Sequence, residues 1–417
     1  LLSLFKIRKV RSPFFAALLV VMLFPALVSA QGAVQGALRD LDAIWGAVWD
    51  EYADPFFNGV DWHRLPDSIR PRILAAETEE EAYMALADMV AALGDPSTFL
   101  VEPNPYFAFF ETEYAGIGVL IGLASSLNAY TDEPSFSDEE IAVLEVFPGT
   151  PAEGSGVLVG DVIVRVDDWD ASGASVDDVS SRIRGPVGTP VELTLRAPDG
   201  ELRTVTIVRE RVDLRPTTTF ERFDDDLAYL RLDTLLSEQV AAAKEHIASN
   251  ADVKHLILDL RGITSGEPVA TSELASWFLG NVSLGAFESR YDRYALQAPG
   301  AGSERLPVYK NKLTVLIHGG TSGLGEVLAL LLSEYNRATL AGQPSAGGFS
   351  LTRMVLLPSG WGLNLSIARY VSPGGRGLHA EGLVPDVLIE DVTLEELRSE
   401  GDPVLNKVLA WARSQAE

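Results

Sequence analysis

The chain has 417 residues, 47% of them hydrophobic and 22% charged, a balance that suits folded domains and excludes an intrinsically disordered chain. Its net charge of −26 repels phosphate backbones, so nucleic-acid binding is discounted and solubility is the simpler use of so acidic a surface. There are no cysteines, hence no disulfide framework and no thiolate chemistry.

The chain opens LLSLFKIRKVRSPFFAALLVVMLFPALVSA. Lys6, Arg8, Lys9 and Arg11 precede an apolar run over 14–28, and Val28-Ser29-Ala30 supplies small residues for cleavage. This predicts a signal peptide over residues 1–30 and an extracytoplasmic destination: periplasm, cell envelope or medium. The run is short for a membrane span, and an uncleaved N-terminal anchor is the alternative. Leu1 in place of Met points to a non-ATG start or an incomplete end.

Residues 31–111 read as an N-terminal helical domain. Leu38, Leu41, Ile44, Trp45, Val48 and Trp49 recur at helical spacing, and EEEAYMALADMVAALG starts with acids suited to a helix N-terminus and stops at Gly94. These aromatic stripes suit a core better than a ligand site.

From 112 to 213 the texture becomes short β-like runs punctuated by glycine. IAVLEVF, DVIVRVDD, PVELTLRA and LRTVTIVRER predict strands, SVDDVSSRIR predicts a helix capped by Ser175, and the acid-rich 131–140 stretch predicts a loop. From 220 to 390 strands and helices alternate. LAYLRL, HLILDLRG, LTVLIHGG and ATLAG predict buried strands, with helices over 236–249, 267–279 and 325–335. Residues 391–417 predict a terminal helix.

Two blocks carry recognition. In YAGIGVLIG, Gly116 and Gly118 allow successive amides to face outward as a carboxylate-binding nest. Together with PGTPAEGSGVLVGDVIVRVDDWD and RGPVGTPVELTLR, this segment resembles a PDZ domain over about a hundred residues. Such domains bind a peptide C-terminus by strand addition. The resemblance implies that Gly116, Ile117, Gly118 and Val119 cap the terminal carboxylate and that Val176, Val179 and Ile183 line the side-chain pocket. The plainer reading of GIGV is a tight turn entering a strand.

GDPST (94–98), LAYLRL, ILDLRG, SEYNRATLAGQPSAGG and LNLSIARYVSPGGRGLHAEGLVPDV follow in an order that resembles the C-terminal processing, or tail-specific, serine peptidases. The implied fold is multidomain α+β: an N-terminal helical segment, a PDZ-like β-rich domain and an α/β peptidase-like core, crotonase/ClpP-like by resemblance. The family's serine is activated by a lysine that a glutamine orients. Its register puts the serine at Gly323, three positions before Glu326, the lysine at Gly348 and the glutamine at Thr352. All three positions lack the required group. A retinoid-binding and tricorn-like branch lacks the lysine and takes a histidine from the region matching GDPST, where this chain has Ser97. The family's turn after Asp-Leu-Arg is also altered, leaving Gly266 as the one glycine suited to an oxyanion amide.

The leading expectation is therefore an exported family member that binds peptide or protein C-termini and has lost proteolysis, acting as regulator, adaptor or scaffold. The alternative is a serine endopeptidase cleaving near C-termini through Ser322, with His318 as base and Glu326 as its orienter. Against it, a Ser-Gly pair before a helix is commonly a cap or turn. An apolar-ligand carrier is a third reading without specific support. Restoring Gly323→Ser with Gly348→Lys is the rescue that the resemblance suggests. His63, His246, His255 and His379 are scattered, so neither a metal nor a cofactor is expected. A homo-oligomer is left open.

Overall fold

Apolar residues repeating every three to four positions give the N-terminal segment its helices, and the computed structural model shows what they cover. It describes residues 13–103, 113–131, 136–213, 215–297, 309–378, 382–389, 392–399 and 401–415. The basic stretch Lys6–Arg11, the middle of the acid-rich 131–140 stretch and His379 lie outside them.

Two compact units divide the chain. The first takes the described parts of Leu1–Pro105, Ser283–Ala298 and Gly347–Gly382. Its helices Pro13–Glu51, Leu65–Ala75 and Glu79–Ala91 bury Leu41, Ile44, Ile73, Leu86 and Met89 against Leu363 and Leu365. Those two leucines alternate along strand Gly362–Val371 and face the helices. That strand pairs with Ser350–Leu356 on one edge, and with Phe99–Val101 and Ala286–Ser289 on the other.

Strands Ala286–Ser289, Arg293–Ala295, Ser350–Leu356 and Gly362–Val371, which fall in sequence within the expected 220–390 core, complete the sheet under the N-terminal helices. Likewise the helical domain contributes a strand, Phe99–Val101. Sequence order hides this because the hairpin's apolar alternation does not say which helices it will meet.

The second unit holds the PDZ-like domain and the α/β core. The core sheet runs Thr218–Arg222, Leu227–Leu232, His255–Asp259, Lys312–Ile317, Thr339–Gly342, Val387–Leu388. Only its first pair is antiparallel. Every residue of His255–Asp259 is buried, which accounts for its continuous apolar sequence. Helices Ser237–Ser249, Pro268–Leu279 and Leu324–Glu334 fall within two residues of expectation. The terminal helix is instead two pieces, Leu394–Leu397 and Pro403–Ser414. Asp402 caps the second and Pro403 starts it, so the first cannot run through.

In the PDZ-like part, strands run in the order Val119–Leu123, Ile141–Val146, Val162–Val166, Pro190–Arg196, Leu202–Val208. Ser175 accepts the Asp178 N–H to cap helix Val176–Ile183, as its sequence predicts. The run LRTVTIVRER breaks at Arg209, whose buried guanidinium donates to the carbonyls of Arg182, Ile183 and Pro190.

Candidate functional site

The turn between strand Lys312–Ile317 and helix Leu324–Glu334 is built around Thr321, which is fully buried. Its Oγ1 accepts the His318 N–H at 3.1 Å and donates to the Leu260 carbonyl at 3.1 Å. Its own N–H returns to the His318 carbonyl at 2.8 Å. One residue on, the Ser322 N–H donates to the Ile263 carbonyl at 2.9 Å, docking the turn on the loop that follows Asp259. Thr321 is the organising residue that sequence reasoning passed over; its place in a Gly-Gly-Thr-Ser run was the available signal.

Gly323 caps the helix at φ 62°, ψ −127°. A side chain is strained there by about 1–3 kcal/mol, and a nucleophile elbow uses such a turn to expose its serine. The turn thus has an elbow's backbone, with a glycine at the position that the resemblance assigns to the serine.

Ser322 is half-buried beside it. Its hydroxyl makes none of the described side-chain hydrogen bonds. His318, its expected base, is occupied: Nδ1 accepts the Gly320 N–H at 2.9 Å, which leaves the neutral ring's proton on Nε2. Burial, then the Arg261 charge, push its pKa below the ordinary histidine value. A ring used as a turn acceptor and disfavoured as a cation is a poor base for Ser322. Glu326 does not orient His318 through any described hydrogen bond. It is fully buried and accepts the Ser345 hydroxyl, which in turn accepts the Leu383 N–H at 2.7 Å.

Gly266 sits in a parallel bridge with Leu235. The bridge uses the Ser265 carbonyl (3.0 Å) and the Glu267 N–H (2.9 Å). The parallel pattern therefore directs the Gly266 N–H away from Leu235. Just upstream, Arg261 binds buried Asp259 through Nε at 3.0 Å and also pairs with Asp402, while Tyr229 donates to Asp259 at 2.7 Å.

Gly348 and Thr352 belong to the other unit. Gly348 has φ +70°, and a Cβ there would lie 2.8 Å from the Pro96 ring. Its carbonyl accepts the Ser97 hydroxyl. Ser97, where the resemblance expects the branch histidine, therefore touches the residue where it expects the lysine. Thr352 is half-buried at a bulge in strand Ser350–Leu356 and pairs with Ser366.

In the PDZ-like domain the Ile117 and Gly118 carbonyls accept the N–H groups of Ala152 and Phe147 at 2.9 and 3.0 Å. Gly118 has φ +85°, and a Cβ would come within 2.3 Å of the Thr150 side chain, so only glycine fits. Val119 begins a strand at the sheet's edge, paired on one side with Ile141–Val146. Val176 is half-buried at the start of the neighbouring helix. Ile117, Val179 and Ile183 are at most 4% exposed and pack in the domain core.

The remaining histidines do not converge. His255 Nε2 lies 2.8 Å from Thr314 Oγ1, His246 stacks on Phe220, and His63 packs against Trp45 and Trp49. Among the described residues no cluster of three or more His, Asp or Glu side chains could hold a metal.

Peptidase family S41 matches residues 226–389 and a PDZ domain profile matches 143–197. The C-terminal processing peptidase of Tetradesmus obliquus chloroplasts is 30% identical over 387 residues, 88% of this chain and 80% of that protein. Carboxyl-terminal-processing peptidase 2 of Arabidopsis thaliana chloroplasts is 29% identical over 85% of this chain and 69% of its own length. Among solved structures, a photosystem II D1 C-terminal processing protease superposes with TM-score 0.57 at 28% identity, covering 89% of this chain and 99% of that one. The tricorn protease shares the fold with TM-score 0.53 at 14% identity, over 92% of this chain and 37% of that one.

Proposed function

Because the chain belongs to the C-terminal processing serine peptidase family, Peptidase family S41 with a PDZ domain, we propose that it is an exported member that binds peptide or protein C-termini and has lost peptide-bond hydrolysis. One observation carries the loss: the elbow keeps its strained backbone at Gly323 with no side chain to attack with. The other positions named from the sequence point the same way. Gly348 is backed against Pro96, Ser97 spends its hydroxyl on the Gly348 carbonyl, and His318 Nδ1 is consumed inside the turn. Binding is supported by the edge strand Val119–Leu123, the Gly118 turn and the helix beside them, the parts that strand addition requires. The basic N-terminus and apolar run support export. Such a protein would act by holding C-termini, as regulator, adaptor or scaffold.

The deciding experiment is turnover of an unstructured protein substrate by the chain from residue 31 onward, beside its Ser322→Ala variant. The expected result is no turnover by either. Cleavage lost on Ser322→Ala would establish the displaced-serine endopeptidase instead. In parallel, C-terminal peptides should bind with a free carboxylate and fail when amidated; equal binding of both forms would remove the nest from the mechanism.

A further inference from the structure

The Gly-Asp pair at 160–161, one of the marks of the PDZ-like domain, faces a segment from the far end of the chain. Leu394 is 6% exposed and packs with Ala124, Leu127, Ala142 and Val162 of that domain. Gly160 makes room for it, since a Cβ there would meet Leu394 Cδ1 at 3.1 Å. One turn later Arg398 Nη1 donates to the Val159 carbonyl at 2.6 Å and to Asp161 Oδ1 at 3.1 Å. Four positions further on, Asp402 pairs with Arg261, at the root of the loop that carries Gly266. Between these ends, Glu396 caps its own short helix and pairs with Lys407 at 3.1 Å, folding the segment onto helix Pro403–Ser414. That helix packs its Val408 and Leu409 over Tyr229, Ile257 and Leu316 of the core sheet.

We infer that Leu394–Ser399 together with Asp402 form a two-ended ionic strap that fastens the PDZ-like domain to the α/β core and ties its position to the Arg261 loop. The pairing at each end makes the strap releasable. Asp161 is fully buried, and stranding such a carboxylate would be prohibitive. It also accepts Arg203 and the Leu158 N–H, both from its own domain, so it stays paired when Arg398 leaves. Arg261 likewise keeps Asp259 and loses only Asp402. Detachment thus costs the strap's own contacts and orphans no buried charge. The Ala124–Tyr130 segment beneath Leu394 directly follows the groove strand Val119–Leu123, so undocking loosens the end of that strand first.

Hydrogen exchange on the full chain, read by mass spectrometry without added peptide, tests this. Leu394→Ala/Arg398→Ala should speed exchange across 124–130 and 157–162 at least tenfold while leaving strands Leu227–Leu232 and His255–Asp259 unchanged. Asp402→Asn keeps a helix cap and touches no PDZ-like residue; it should still speed exchange in 124–130 by several-fold. Arg398→Lys, which keeps the charge, should fall between the parent and the double variant. Unchanged exchange in 124–130 with Asp402→Asn reduces the contact to a local one and overturns the strap, as does an even rise over the whole unit. Because no peptide is present, failure of C-terminus binding leaves this test standing.

Discussion

Replacing Gly348 with lysine supplies the residue type that the resemblance expects there, and the local geometry sets the cost. At φ +70° an L-side chain pays about 1–2 kcal/mol for the left-handed backbone. The new Cβ also lands 2.8 Å from Pro96 Cγ, and a proline ring cannot rotate aside, so overpacking adds roughly 1–3 kcal/mol. At about 2–4 °C per kcal/mol for a unit of this size, Gly348→Lys should lower Tm by roughly 4–20 °C. Thermal unfolding followed by circular dichroism measures it. Gly348→Ala should show most of the same loss, because the clash begins at Cβ. Adding Pro96→Ala should recover the packing part and leave the backbone part. A Gly348→Lys variant that melts within about 1 °C of the parent refutes the reasoning. The same steric argument predicts that Gly323→Ser with Gly348→Lys will not restore cleavage, since the lysine arrives only with the backbone displaced.

Two further outcomes follow from other sites. Gly118→Ala places a methyl 2.3 Å from Thr150 at φ +85°; it should cost about 2–4 kcal/mol and abolish binding of C-terminal peptides, checked by denaturant unfolding and by titration, and retained affinity would contradict the groove. His255 is buried on the core sheet, and burial followed by the Lys312 charge lowers its pKa to about 4. The unfolded chain takes up that proton near pH 6.5. The histidine's contribution is therefore whole above that value, shrinks as pH falls, and is spent near pH 4. The parent should lose up to about 3 kcal/mol across this window relative to His255→Gln, and a pH-independent difference would show that the imidazole titrates normally.

Much of this was legible because local signals agreed with their surroundings. The core strands read as continuous apolar runs because they are buried on both faces, and Ser175 read as a cap because its oxygen has one nearby amide to serve. The elbow was legible from strand, glycines and helix in succession. What failed depends on distant partners. Nothing in Leu363 or Leu365 announces that they complete the N-terminal core, and Pro403 splits the terminal helix through an Asp402 cap whose other partner is Arg261. Nor could spacing show that His318 folds back to accept the Gly320 N–H, which makes the most plausible replacement base in sequence an unsuitable one in space.

On the proposed reading, the positions taken as emptied differ in how far each stands from use. At Gly323 glycine relieves strain and leaves the turn's shape intact, because Thr321 holds that shape through Leu260 and His318. A serine could return there for the strain alone. The base position has changed more deeply. The positions that the resemblance assigns to a lysine and to a branch histidine, Gly348 and Ser97, are hydrogen-bonded neighbours here. The two sequence positions are thus one location in this unit. Here one offers a hydroxyl already donated and the other a backbone closed by Pro96. On the proposed reading, a basic side chain returned at either position first needs the Pro96–Ser97–Gly348 contact rebuilt.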